Sequence, residues 1–138
     1  MAVEGIEVGA TASFEKLITQ EDIVSYAAVS GDANPLHVDA EYAAKTRFKA
    51  PIAHGMLGAG LISAALGVKL APHAVVVYLG QTLRFRAPVS AGDTLTATVE
   101  ATEVDDERSR ITLKTTVTNQ DGTEVITGEA QIMLDAVR

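Results

Sequence analysis

Gly55-Met56-Leu57-Gly58-Ala59-Gly60-Leu61-Ile62-Ser63-Ala64-Ala65-Leu66-Gly67-Val68 is the longest apolar run in the chain, and Lys69 closes it. On a helix it presents apolar residues on nearly every face, as a helix enclosed by other structure does. It falls short of the ~20 residues that cross a bilayer, so it reads as a buried core helix. From Val75 onward the pattern changes to period two, in runs from Val75 to Arg86, Leu95 to Val104, Ile111 to Val117 and Val125 to Leu134. Ile111, Leu113, Thr115 and Val117 then share one strand face. Ser90-Ala91-Gly92-Asp93, Asp105-Asp106-Glu107 and the hairpin-like Asn119-Gln120-Asp121-Gly122 separate the runs. Near the start, Ala12, Phe14 and Leu17-Ile18 alternate with polar residues as a short edge strand would. The expected fold is α+β, one domain over 1–138, with an antiparallel β-sheet wrapped around a long central apolar helix.

Between the first strand and that helix the chain carries start and stop signals. Thr19 followed by Asp22 resembles a capping box, and Ile23, Tyr26, Ala27 and Val29 supply an apolar stripe, so a helix is expected over 20–29. Ser30-Gly31 ends it. Asp32-Ala33-Asn34-Pro35-Leu36-His37 then reads as an ordered loop, because Asn-Pro biases the backbone away from helix and Asp and Asn favour tight turns. Asp39 is a cap for a short helix through Tyr42 and Ala43, and Pro51 introduces Ala53-His54-Gly55 ahead of the apolar segment.

The chain has 138 residues, 47% of them hydrophobic, enough for one core and too few for two comfortable ones. Its formal net charge of -7 argues against a nucleic-acid partner, which needs a basic face. An anionic small molecule needs only a few local cations, which net charge does not exclude. The absence of cysteine removes disulfides, thiol nucleophiles and thiolate metal sites, and fits a reducing, cytoplasmic setting. Met1-Ala2-Val3-Glu4-Gly5-Ile6-Glu7 has neither the basic region nor the apolar core of a signal peptide, so no membrane association is expected.

Asp32 and His37 carry the strongest chemical signal. They lie five positions apart in a segment constrained by Gly31 and Pro35, where both side chains can reach one small volume. A carboxylate beside an imidazole is a competent acid-base pair, able to take a proton from water and deliver one to carbon. The plainer reading is that Asp32 satisfies loop amides and His37 packs. Gly55 opens the apolar helix, where a backbone N–H is unpaired and lies at the positive end of the helix dipole, so it is a natural oxyanion donor. A tight turn or close packing would also account for glycine there.

Other features read as structural. Gly55-Met56-Leu57-Gly58-Ala59-Gly60 lacks the Lys-Ser or Lys-Thr of a phosphate loop. His37, His54 and His73 show no metal-ligand spacing, and His54 reads as a hydrogen-bonder beside Gly55. Ser63 has no activating base in sequence and more naturally borders a pocket. Arg84 and Arg86 fall on one face of a strand, to meet the phosphates of an anionic ligand or to stand in solvent.

The stretch Tyr26-Ala27-Ala28-Val29-Ser30-Gly31-Asp32-Ala33-Asn34-Pro35-Leu36-His37 resembles the signature of MaoC-like proteins and enoyl-CoA hydratase 2. The likeness continues through Ala53-His54-Gly55-Met56-Leu57, Tyr78-Leu79-Gly80-Gln81, Leu83-Arg84-Phe85-Arg86-Ala87-Pro88-Val89 and Gly92-Asp93. It is strongest with single-domain (R)-specific hydratases of polyhydroxyalkanoate synthesis. That resemblance implies a hot-dog fold, a homodimer, and reversible hydration of a trans-2-enoyl-CoA to an (R)-3-hydroxyacyl-CoA with no cofactor besides the coenzyme A of the substrate. It assigns Asp32 and His37 to a dyad that binds one water, and Asn34 to shaping the dyad loop. Ser63 would line the acyl site, and Leu66, three residues on, would limit the acyl tail from the same helix face. Gly60 departs from the pattern, since relatives often carry a slightly larger residue there. The fold also carries thioesterases and non-catalytic acyl-CoA-binding proteins, but a thioesterase would leave Asp-x-Asn-Pro-Leu-His unexplained.

Overall fold

A computed structural model describes residues 5–137. The first strand, β1 (Thr11–Leu17), leads into helix α1 (Gln20–Ser30), whose start is fixed by side chains. The Thr19 hydroxyl accepts the Asp22 N–H at 3.1 Å and the Asp22 carboxylate accepts the Thr19 N–H at 3.0 Å, the reciprocal capping box expected from the sequence. Gly31 ends α1 at φ 85°, a left-handed conformation that disfavours any other side chain.

The segment expected to be loop through His37 turns helical sooner. Helix α2 spans Pro35–Val38, with Asn34 as its cap: the Asn34 side-chain oxygen accepts the Leu36 N–H at 3.0 Å. Proline at the first helical position is pre-set for this, and its missing N–H is one that a helix start leaves unpaired anyway. Asn-Pro therefore marks the start of a helical turn, with the loop proper confined to 31–34. Asp39 caps α3 (Ala40–Ala44) by accepting the Tyr42 N–H at 3.1 Å.

The apolar segment forms α4 (Gly55–Ala64) and continues as a π-helical turn over Ala65–Leu70, two residues past the expected end. The strands that follow are β2 (Val75–Phe85), β3 (Thr94–Asp105), β4 (Arg110–Thr118) and β5 (Glu124–Asp135). They form one antiparallel sheet in the order β1-β3-β4-β5-β2. The β3-β4 and β4-β5 connections are the expected hairpins. The β2-β3 connection crosses the sheet, because β2 pairs with β5 at the far edge, and Ser90-Ala91-Gly92-Asp93 is the end of that crossover. It is tied down where the Ala53 N–H meets the Val89 carbonyl at 2.7 Å and Ile52 bridges Ser90.

Helix α4 lies against β1, β3 and β4. A β-carbon on Gly58 would stand 3.1 Å from Ile126 Cδ1, so the small residue is what lets the helix approach the sheet. Ile18, Ile23, Ile62, Leu66, Leu95, Ile111, Leu113 and Ile132 are fully buried around it. Each such side chain contributes about 1.5–3 kcal/mol of transfer free energy, which makes the helix-sheet layer the main source of stability. Thr115 is buried on the same β4 face as Ile111, Leu113 and Val117. The result is the hot-dog arrangement, a sheet curled around one central helix. No helix among the described residues is long and apolar enough to cross a membrane.

Candidate active site

Three elements converge where α4 begins. Asp32 lies in the loop after α1, His37 on α2, and His54 at the cap position of α4; one ligand atom from each lies within 4.8 Å of the others. The Asp32 Oδ1 accepts the Asn34 N–H at 3.2 Å, and the Asp32 N–H donates to Ser30 Oγ at 3.1 Å. These short local bonds hold an exposed loop in one shape. Asn34 thus holds the loop from both sides, donating its N–H to the Asp32 carboxylate and capping α2 with its side chain.

The His37 ring is oriented by its Nδ1, 2.7 Å from the Ile52 carbonyl oxygen. A carbonyl only accepts, so Nδ1 carries the proton and Nε2 of the neutral ring keeps a lone pair. By the same logic the His54 Nε2–H donates to the Asp32 backbone carbonyl at 2.8 Å. The two imidazoles stack with centroids 3.8 Å apart and planes 24° apart, and the Tyr26 ring of α1 packs on His54 at 4.7 Å. Spacing in sequence points to the meeting of Asp32 and His37; His54, expected only as a hydrogen-bonder beside Gly55, joins them here.

The cluster does not fit a metal ion. An ion about 2.0–2.1 Å from two ring nitrogens must lie near both ring planes. Planes stacked with centroids 3.8 Å apart and only 24° from parallel do not meet at that range.

Gly55 is the first residue of α4, so its N–H has no carbonyl within the helix to pair with. Its lack of a β-carbon has a packing reason too, since one would stand 2.6 Å from the Phe85 ring. Ser63 is exposed and lines a groove of about 470 Å³ with Met56, Ala59, Gly60, Tyr78 and Leu83. Leu66 is not beside it. It is fully buried in the core, and the passage from α to π spacing at Ala65 breaks the three-residue repeat that would have put both on one face.

The opposite wall of the groove comes from β2. Its register with β5 slips between Tyr78 and Gly80, a bulge that a glycine inside a strand signals. The Tyr78 hydroxyl donates to Gln81 Oε1, and Gln81 Nε2 donates to the buried Thr115 Oγ1 at 2.9 Å. Burial raises the Tyr78 phenol above its ordinary pKa, so it stays a neutral donor. Arg84 and Arg86 line a separate cleft with Thr82, Leu83, Thr127 and Gly128, and Arg86 Nε donates to Thr127 Oγ1 at 2.8 Å.

Residues 5–123 match the family model described as MaoC like domain. An (R)-specific enoyl-CoA hydratase of Rhodospirillum rubrum is 48% identical over 133 residues, covering 96% of this chain and 91% of its own. One of the same name from Aeromonas caviae is 42% identical over 134 residues, 97% of this chain and 99% of its own. The solved (R)-hydratase from A. caviae, described as involved in PHA biosynthesis, superposes with a TM-score of 0.90 at 43% identity over 95% of this chain and 98% of its own. With a family model spanning most of its length and such relatives on both counts, the chain belongs to the MaoC-like family.

Proposed function

We propose that this chain is an (R)-specific enoyl-CoA hydratase, a lyase that adds water reversibly to a trans-2-enoyl-CoA to give the (R)-3-hydroxyacyl-CoA. The observation that carries this reading is the meeting of Asp32 and His37, with His37 Nδ1 committed to the Ile52 carbonyl so that Nε2 is the nitrogen left for chemistry. One water hydrogen-bonded to both groups spans such a gap. Between them Asp32 and His37 take one proton from that water and return one to the α-carbon, while the water oxygen bonds to the β-carbon. Electron density moves onto the thioester oxygen as the new C–O bond forms. The Gly55 N–H, at the positive end of α4, is the group that stabilises it there. No cofactor beyond the coenzyme A of the substrate is needed.

The groove along Ser63, Ala59 and Leu83 takes the acyl chain, and the cleft with Arg84 and Arg86 takes coenzyme A phosphate. The working form is a homodimer in a reducing, cytoplasmic setting. Edge strand β2 presents Val75, Tyr78, Leu79 and Phe85 to solvent, and a second copy would cover this apolar edge. Light scattering tests that association, and a fully active monomer at assay concentration contradicts it.

The deciding experiment follows loss of the conjugated enoyl absorbance of crotonyl-CoA and determines product chirality. Formation of the (R)-3-hydroxy thioester is expected. Release of free coenzyme A without hydration would replace this reading with thioester hydrolysis.

A further inference from the structure

We infer that His54 is the positioning residue of the Asp32-His37 pair, setting both members through one buried ring; the inference rests on the dyad reading above. His54 is only 4% exposed and occupies the cap position of α4, yet its side chain caps nothing. It turns toward the dyad instead. Its Nε2–H holds the Asp32 carbonyl at 2.8 Å across 22 residues of sequence, so the loop that carries the carboxylate is pinned to the start of the central helix. Its ring face lies against His37 at 3.8 Å.

That second contact supplies what His37 otherwise lacks. The bond from His37 Nδ1 to Ile52 fixes one point of the ring but leaves it free to swivel about that bond. A flat neighbour stacked at 24° removes the swivel, so Nε2 keeps one direction. Tyr26 of α1 packs on His54 at 4.7 Å, which ties the ring to α1 as well.

His54 Nδ1 is buried and has no hydrogen-bond partner among the described residues. A buried acceptor without a partner costs stability, and an aliphatic residue would avoid the cost. With Nε2–H committed to Asp32 and Nδ1 bare, neutral His54 has no proton to give toward substrate. It acts through the other two. Such unsatisfied groups in an otherwise well-paired fold concentrate at functional sites, where local rules give way to positioning.

The two contacts separate by substitution in the full chain. His54→Phe keeps a ring against His37 and loses the N–H to Asp32; His54→Gln keeps an N–H and loses the ring; His54→Ala loses both. With crotonyl-CoA, His54→Ala is expected to lose about 100-fold in kcat, the scale of a small misplacement of reacting groups, with KM within about threefold of wild type. Phe and Gln should each recover part of the loss, independently of their thermal midpoints. A merely structural role predicts instead that kcat tracks stability. Folded Phe and Gln variants that both keep kcat within about twofold of wild type, or that raise KM with kcat intact, overturn the inference. Nitrogen-15 NMR of the wild-type ring needs no variant to fold: His54 protonated at Nε2 and bare at Nδ1 supports the assignment, and the opposite tautomer overturns it. Asp32→Asn and His37→Gln run alongside tell the two failures apart. If they too stay active the dyad reading falls, whereas if only the His54 variants stay active the positioning inference alone is lost.

Discussion

Helix α4 begins at Gly55 with His54 at its cap, beside an exposed carboxylate and a second imidazole, and the helix widens at its other end into a π turn around Ala65 and Leu66, both fully buried. The first end faces a loop held by single hydrogen bonds of 2.7–3.2 Å, while the side chains of the second are held by close apolar packing. One helix thus divides its labour: unpaired N–H groups and polar partners collect where its dipole is positive, and apolar volume collects where the sheet closes over it. Substitutions at the first end should change rate with little change in stability, and substitutions at the second should do the reverse.

The largest effect is expected at the first end. Asp32→Asn and His37→Gln should each lower turnover by at least ~10²-fold, the scale of positioned acid-base catalysis, while circular dichroism stays native-like. Their bonds to the rest of the fold are few; Asn keeps the shape of Asp, and Gln keeps a polar group at His37 while losing the ring stacked on His54. A folded variant with near-wild-type turnover removes the dyad and with it the contrast between the two ends.

At the second end, Leu66→Ala should cost about 2–5 kcal/mol of stability, because a fully buried leucine leaves a cavity that its neighbours fill only in part. Its effect on catalysis should be graded. If the acyl tail reaches past Ser63 to this layer, kcat/KM for octenoyl-CoA relative to crotonyl-CoA rises, at about 1 kcal/mol for each methylene accommodated. An unchanged ratio in a folded variant confines Leu66 to packing and sharpens the division between the ends.

How much of this was legible in the sequence follows the same division. The strands of the helix-sheet layer were readable because period-two alternation and turn residues are local signals; the expected faces of β4 and the capping box of α1 are both found. Strand order was less so. Ser90-Ala91-Gly92-Asp93 reads as a turn whether the chain folds back or crosses the sheet, and it crosses. At the site, Asp32 and His37 stood out because they are close in sequence, and Asn34 through the family resemblance. His54 did not, since its partners Asp32 and Tyr26 lie in earlier elements and only the packing of α1 and α2 on the start of α4 brings them together. The Tyr78-Gln81-Thr115 chain escaped for the same reason, although Gly80 inside a strand was a readable sign of the bulge that shapes it. The shift to π spacing at Ala65 leaves no local mark, and it is what separated Leu66 from Ser63.

The smallest effect lies away from both ends of α4, in the capping box of α1, the helix that delivers Asp32 to the site and packs Tyr26 against His54. The Asp22 carboxylate accepts the Thr19 N–H at 3.0 Å and lies 3.3 Å from the Lys16 ammonium. The Thr19 backbone bond holds Asp22 below the usual carboxylate pKa; burial opposes it, and the Thr19 hydroxyl and Lys16 add to the lowering. A carboxyl with a lowered folded pKa contributes its stability fully above its unfolded value and loses it as pH falls through the folded one. Solvent screens this partly exposed group, so Asp22→Asn should lower the thermal midpoint at pH 7 by only about 1–3 °C. The gap to wild type should shrink below about pH 4 and close once Asp22 is protonated in the folded state. Turnover at pH 7 should not change, because the dyad residues bond to Gln20, Ser30, Asn34, Ile52 and His54 and none of these bonds runs through the Asp22 side chain. A gap that stays constant from neutral to acid pH would show that the amide's shape, and not the lost charge, sets the difference. A fall in kcat with an unchanged midpoint would mean that the start of α1 is coupled to the dyad after all, and that the chemistry extends further from α4 than its contacts indicate.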